Sequence, residues 1–197
     1  MQRSDCNNSF TIALIAVGSN LSDRGAMSES IVRDAISQVA ARAGNVLSIS
    51  SLYRTPAFPP GSGPDFVNAA FALDWPDGPE PLLALLHEVE AQFNRTRGTR
   101  WQARTLDLDL IALGDRVCPD AEVQTRWRDL PAHEAAQVAP DQLILPHPRM
   151  QERGFVLVPL ADVAPEWRHP LTGRTVAAML SARPDEEIAE IYVLAQV

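Results

Sequence analysis

The residues best suited to chemistry in this chain lie between Arg95 and Leu113, in the stretch RTRGTRWQARTLDLDLIAL. Four arginines (Arg95, Arg97, Arg100 and Arg104) and Trp101 precede an apolar run that carries two carboxylates, Asp107 and Asp109. Side chains at i and i+2 of a strand leave on the same face. The pattern therefore predicts Asp107 and Asp109 on one side, with Leu106, Leu108 and Leu110 on the other. Two convergent carboxylates can seat magnesium, a hard cation that completes its octahedron with water and phosphate oxygens. Guanidinium forks match phosphate oxygens. Together these residue types point to a nucleotide polyphosphate held on Mg2+. Each piece has a plainer reading: an Asp-x-Asp pair can be the solvated face of a strand, and an arginine cluster can be a surface ion-pair patch. Their juxtaposition, in a chain of net charge −8, favours anion and metal chemistry.

Positioning those groups requires a frame, and the pattern along the chain predicts one. Phe10 to Val17 reads as a buried strand ending at Gly18-Ser19-Asn20. It is not a phosphate-binding P-loop, because the Gly-Lys-Ser/Thr is missing. Asp23 to Ala43 has helical spacing through Met27, Ile31, Ala35 and Val39. Val46 to Tyr53 and Phe66 to Trp75 read as two strands of a hairpin around the Pro- and Gly-rich loop 54–64. On the second strand Phe66 and Asn68 share a face, although Phe66 taken alone also fits a core aromatic. Pro79 to Asn94 is the clearest helix, with Leu82, Leu86, Val89 and Phe93 as its stripe and His87 and Glu90 on its more polar side. The strand Arg104 to Leu113 follows.

Residues 116–142 are polar and punctuated by proline, predicting a surface excursion or a lid, with a short helix around 132–138. Leu143 to Arg149 resumes an extended path, and Gly154 to Ala161 is another apolar run. A turn at Thr172-Gly173, a short helix over Val176 to Ala182 and a last strand over Ile188 to Leu194 complete the chain. The order βαββαβ predicts an α+β, ferredoxin-like antiparallel sheet with helices packed on it, plus C-terminal additions.

At 197 residues, with 46% hydrophobic and 21% charged residues, the chain has enough material for a core. The expectation is a flexible N-terminus over 1–9 and a single domain over 10–197. Met1 to Phe10 lacks the apolar centre of a signal peptide. No apolar run approaches the ~18–20 residues of a membrane span. Cys6 and Cys118 fit no metal spacing, so free thiols in a cytoplasmic compartment are expected. The acidic balance argues against nucleic acid as a partner.

Several motifs in order then converge on one family. AVGSNLSDR (Ala16 to Arg24), SSLYRTPAF (Ser50 to Phe58), PDFVNAAFAL (Pro64 to Leu73), RTRGTRWQARTLDLDLI (Arg95 to Ile111) and LPHPRMQERGFVLVPLADVAP (Leu145 to Pro165) resemble the 6-hydroxymethyl-7,8-dihydropterin pyrophosphokinase family. The resemblance implies transfer of the β,γ-pyrophosphoryl group of ATP to the pterin hydroxymethyl oxygen, with release of AMP, in folate biosynthesis; a monomer is expected. It implies that Asp107 and Asp109 hold two Mg2+ ions and that Arg95 and Arg104 contact the phosphates. It assigns Arg97, Arg100 and Trp101 to a loop that closes over ATP, and Glu90, Leu110, Ile144, His147 and Arg153 to further nucleotide contacts. Phe66 and Phe155 match an aromatic pair around the pterin, Asn68 the amide that reads its polar edge, and Thr55, Ala57 and Phe58 the rest of that pocket.

The chain departs from the family pattern at Gln102-Ala103, where Gly-Pro or similar is usual, which bears on the geometry of the closing loop. It departs again at Pro148, often aromatic, and at Gln142, where an arginine can occur. Two rival readings remain. A noncatalytic RNA-binding domain of this fold should carry its aromatics in a basic face, whereas here the basic stretch adjoins two carboxylates. A metal-dependent phosphoryl transferase or hydrolase with another acceptor would release ADP in place of AMP.

Overall fold

The structure, a computed structural model, describes residues 11–20, 25–57, 63–95, 106–135 and 137–197. The apolar octapeptide Ile12–Ser19 forms β1, the strand on which the sheet is built. It pairs antiparallel with β4 (Phe66–Asp74) on one side and with β5 (Asp107–Leu113) on the other. Beyond β4 lie β2 (Val46–Ile49) and β3 (Leu52–Thr55), and β6 (Tyr192–Ala195) pairs with β3. The order is β5-β1-β4-β3-β6, with β2 also on β4. The single strand predicted over 46–53 is thus two, interrupted at Ser50-Ser51. Ser50 bridges the interruption: its hydroxyl accepts from the Ala70 N–H at 2.9 Å, and its own N–H donates to the Ala70 carbonyl at 2.9 Å.

Alternation along the strands fills two cores. Ala13, Ile15 and Val17 of β1 and Val67, Ala69, Phe71 and Leu73 of β4 face α1 (Gly25–Ala43) and α2 (Pro79–Arg95). Val32, Ala35 and Val39 of α1 and Leu82, Leu86 and Val89 of α2, the stripes read from the sequence, complete this layer. Leu14, Ala70, Ala72 and Ile111 face the opposite way, beneath α5 (Gly154–Val163) and α6 (Val176–Leu180). Fully burying a large apolar side chain contributes about 1.5–3 kcal/mol. A one-residue slip would move every such residue to the other face, so both layers fix the register.

The two helices of the ferredoxin-like unit therefore cover one face, and the C-terminal additions cover the other. The apolar run at 154–161 is α5; its Val156, Leu157 and Leu160 are buried against the sheet. Within 116–142 the structure adds α3 (Ala121–Arg128), whose polar sequence hid it, and confines the expected short helix to α4 (Ala132–Ala135). Near the C-terminus α7 (Asp185–Ala189) precedes β6, which starts later than predicted. Among the described residues no helix is long and apolar enough to cross a membrane.

Candidate active site

Strand β5 presents Asp107 and Asp109 half-buried, alternating with the buried Leu106, Leu108 and Leu110 that enter the α1/α2 core. It is also an edge of the sheet. Glu90 of α2 covers that edge: its Oε1 accepts the Leu108 N–H at 2.7 Å. The strand segment between the two aspartates is thereby pinned to the helix. Burial raises the Glu90 pKa, and the charges of Asp107 and Asp109 add to it, opposed by the Leu108 N–H and by His87. Glu90 therefore adds its carboxylate to the neighbourhood of the two aspartates, which favours a cation there.

A cavity of about 820 Å3 opens over this spot. Asp107 and Asp109 line it, together with Glu90, Leu110, Ile144, His147 and Arg153 of the predicted nucleotide set. Arg153 Nη1 stands 4.0 Å from Asp109 Oδ2, and its guanidinium lies 5.8 Å from the Phe155 ring centre. Both members of the ion pair are about one-third exposed, so the pair itself adds little stability. It leaves a cation available to an anionic ligand. His147 accepts the Arg149 N–H through Nδ1 at 3.1 Å. Its pKa is pushed down to about 3, chiefly by burial and then by the charge of Arg153. A neutral ring accepting through Nδ1 carries its proton on Nε2. It can then donate a hydrogen bond to a ligand.

Among the described residues no group of three or more His, Cys, Asp or Glu side chains forms a metal cage. The Asp107–Asp109 pair fits magnesium of another kind, bound by one or two carboxylates and otherwise by water and substrate phosphates.

Phe66 and Asn68 of the predicted pterin set lie on the same face as Asp107. Across the sheet Asp107 is the register partner of Gly18, Gly18 of Asn68, and Asn68 of Tyr53. Adjacent strands lie ~4.8 Å apart, so the Asp107 and Asn68 backbones are roughly 10 Å apart. Only a glycine lies between them. Asn68 is buried, and its Nδ2 donates to the buried Thr55 Oγ1 at 2.7 Å. A Cβ on Gly18 would come within 2.5 Å of Asn68 Oδ1 and 3.9 Å of the Phe66 ring. Ala57 is buried at the end of β3, and Phe66 and Phe155 are half-buried on β4 and α5. The aromatic pair in contact among the described residues is Trp167–His169, so Phe66 and Phe155 do not stack on one another. Asp162 near the end of α5 accepts the Tyr53 hydroxyl at 2.7 Å and the Ser51 N–H at 3.1 Å, fastening α5 over this face.

Phe58, Arg97, Arg100, Trp101 and Arg104 lie outside the described residues, and of Arg95 the backbone at the end of α2 is described. Sequence reasoning overlooked Gly18 as part of the site, although the Gly-Ser-Asn turn marked the position. It also overlooked Leu83, Trp127, Val138, Pro140 and Arg149 of the cavity wall. Nothing in the pattern of 116–142 singled out Trp127, Val138 or Pro140.

Residues 14–165 match the sequence model of a family described as 7,8-dihydro-6-hydroxymethylpterin-pyrophosphokinase (HPPK). The chain is 37% identical over 169 residues to a Synechocystis protein named 2-amino-4-hydroxy-6-hydroxymethyldihydropteridine pyrophosphokinase, covering 85% of this chain and 74% of that protein. A Pseudomonas aeruginosa protein of the same name is 34% identical over 177 residues, covering 90% and 94%. Among solved structures, wild-type Plasmodium falciparum HPPK-DHPS superposes with a TM-score of 0.60 at 13% identity, over 88% of this chain. The chain spans 45% of that longer protein, and at this identity the likeness is one of fold.

Proposed function

The chain belongs to the 7,8-dihydro-6-hydroxymethylpterin-pyrophosphokinase family and is an ATP-dependent diphosphotransferase of folate biosynthesis, and from that premise we propose that it carries the β,γ-pyrophosphoryl group of ATP to the hydroxymethyl oxygen of 6-hydroxymethyl-7,8-dihydropterin. The single observation that carries this reading is the row Asp107–Gly18–Asn68. A carboxylate pair suited to phosphate-bound magnesium and an amide suited to a heterocycle edge share one face, with no side chain between them. The hydroxymethyl oxygen attacks the β-phosphorus, the bond from that phosphorus to the α-phosphate's bridging oxygen breaks, and AMP leaves with the electron pair.

Asp107 and Asp109 would hold two Mg2+ ions, which when bound would polarise the phosphoryl oxygens and neutralise their charge. Glu90 keeps the two aspartates in register by holding the Leu108 N–H. Arg95, Arg104 and Arg153 take phosphate oxygens, and His147 donates its Nε2–H; most of the catalysis in such chemistry is positioning and electrostatics. Leu110 and Ile144 contact the nucleotide, and Arg97, Arg100 and Trp101 close over it. Asn68, oriented by Thr55, reads the polar edge of the pterin, and Phe66 and Phe155 take its faces. Ala57 and Phe58 complete that pocket. The enzyme acts as a cytoplasmic monomer.

The test is an incubation of the purified chain with Mg2+, ATP and the pterin, with the products resolved by chromatography. AMP should appear in step with the pterin diphosphate. Asp107→Ala and Asp109→Ala should each lower turnover by orders of magnitude while keeping the wild-type circular dichroism. ADP as the nucleotide product, or near-normal turnover in both variants, would overturn the reading.

A further inference from the structure

Segment 116–142 lies outside the motifs that carry the family resemblance, yet part of it walls the cavity over Asp107 and Asp109. It is firmly attached. Asp120 caps α3 by accepting the Val123 N–H at 2.9 Å. Gln124 is fully buried; its Nε2 donates to the Pro146 carbonyl at 3.1 Å, and its Oε1 accepts from Arg128 Nη1 at 3.3 Å. Arg149 Nη1 donates to the Leu130 carbonyl at 2.7 Å, and Cys118 and Leu145 exchange two backbone hydrogen bonds. A buried amide satisfied at both ends fixes the rotation of α3 about its axis. Trp127, one turn after Gln124, then joins the cavity wall.

The lining divides by element. Strand β5 contributes Asp107 and Asp109, α2 contributes Glu90, and the stretch 147–153 contributes His147, Arg149 and Arg153. The 116–142 segment contributes the apolar Trp127, Val138 and Pro140, with the polar Asp141 and Gln142 at its end, and Leu83 of α2 and Ile144 line the same cavity. Val138 is 52% exposed among the described residues, a large apolar side chain left about half open. A nucleoside triphosphate divides in the same way, into a polyanion and a flat base. With the phosphates at the aspartates and Arg153, the base has this apolar wall to rest on.

We propose that Trp127, with Val138 and Pro140 beside it, seats the base of the bound nucleoside triphosphate, so that segment 116–142 is a built-in recognition wall for the nucleotide. This rests on the ATP-dependent reading above and deepens it. Trp127 acts in binding, through an aromatic plane against the base, and takes no part in phosphoryl transfer.

The experiment is isothermal titration of the full chain, in Mg2+, with the α,β-methylene analogue of ATP, whose α,β bridge cannot be cleaved, and separately with inorganic tripolyphosphate. Stacking of a base on an aromatic side chain is worth enough to predict that Trp127→Leu weakens the analogue by about 5- to 150-fold. Tripolyphosphate, which has no base, should bind Trp127→Leu within about twofold of wild type. Trp127→Phe should recover most of the lost affinity. Leucine keeps an apolar filler in the wall, so the variant tests the aromatic plane without opening a large void. Unchanged analogue affinity in Trp127→Leu overturns the proposal, as does an equal loss for analogue and tripolyphosphate, which would make the residue part of the wall's fold alone. Failure of the wild-type chain to bind the analogue at all would instead overturn the ATP-dependent reading beneath it.

Discussion

Replacing Gly18 by alanine is the sharpest probe of the pterin side of the site. Gly18 is not among the described glycines with positive φ, so alanine fits its backbone and the cost is steric. The added Cβ would lie 2.5 Å from Asn68 Oδ1, where ordinary contact begins at 3.4 Å. The amide cannot simply turn away. Its Nδ2 is held by Thr55 Oγ1 at 2.7 Å in a buried pair, and moving it leaves those polar groups imperfectly satisfied. Such a loss costs about 1–3 kcal/mol. If Asn68 gives way, pterin affinity should fall by roughly 5- to 150-fold. If β1 and β4 part instead, the same free energy should appear as a lower urea midpoint. Gly18 does not line the cavity over Asp107 and Asp109, where the nucleotide is proposed to bind, so the ATP analogue should bind as in wild type. Titration of both ligands and a urea melt of Gly18→Ala decide the matter. Wild-type pterin affinity together with wild-type stability would refute the claim that the missing side chain at this glycine keeps Asn68 in place.

Two further substitutions test the supports of the site. The Glu90 pKa is raised in the fold, so any stability gained from its proton is fully present below its unfolded value and is lost as pH rises through the raised value. Glu90→Gln keeps an acceptor for the Leu108 N–H without the charge; in EDTA it should be at least as stable as wild type at pH 7, with its advantage shrinking as pH falls toward 4.5. Urea melts across that range showing Glu90→Gln less stable at pH 7 and equal at low pH would reverse the sign and reject the assignment. Tyr53→Phe removes the 2.7 Å hydrogen bond to Asp162 and leaves Asp162 the Ser51 N–H. A loss of about 1 kcal/mol is expected, at the low end for a charged partner because solvent reaches the site. Burial and the Asp162 carboxylate push the Tyr53 pKa up to about 12. The wild-type advantage should therefore persist to pH 10 and vanish as pH rises toward about 12; an advantage that is absent at neutral pH would remove Tyr53 as a fastener of α5.

The sequence by itself determined the frame and the chemical types. Period-two and helical apolar spacing specified β1, α1, β4, α2 and β5 to within a few residues, because burial of alternate faces is written locally. It also put Asp107 and Asp109 on one face of β5, since alternation within a single strand needs no tertiary information. The structure alone decided what lies across the sheet. The Asp107–Gly18–Asn68 row depends on register between residues as much as 89 positions apart in numbering, which no local pattern encodes. Glu90 became a brace for an open strand edge only once β5 took that edge. Helix α3 escaped the reading because its stability comes from one cap and one buried amide, with no apolar stripe to betray it. The run Gly154–Ala161 is apolar nearly throughout, and periodicity cannot tell a buried strand from a buried helix. Its packing over the second face of the sheet made it a helix and brought Phe155 and Arg153 to the site.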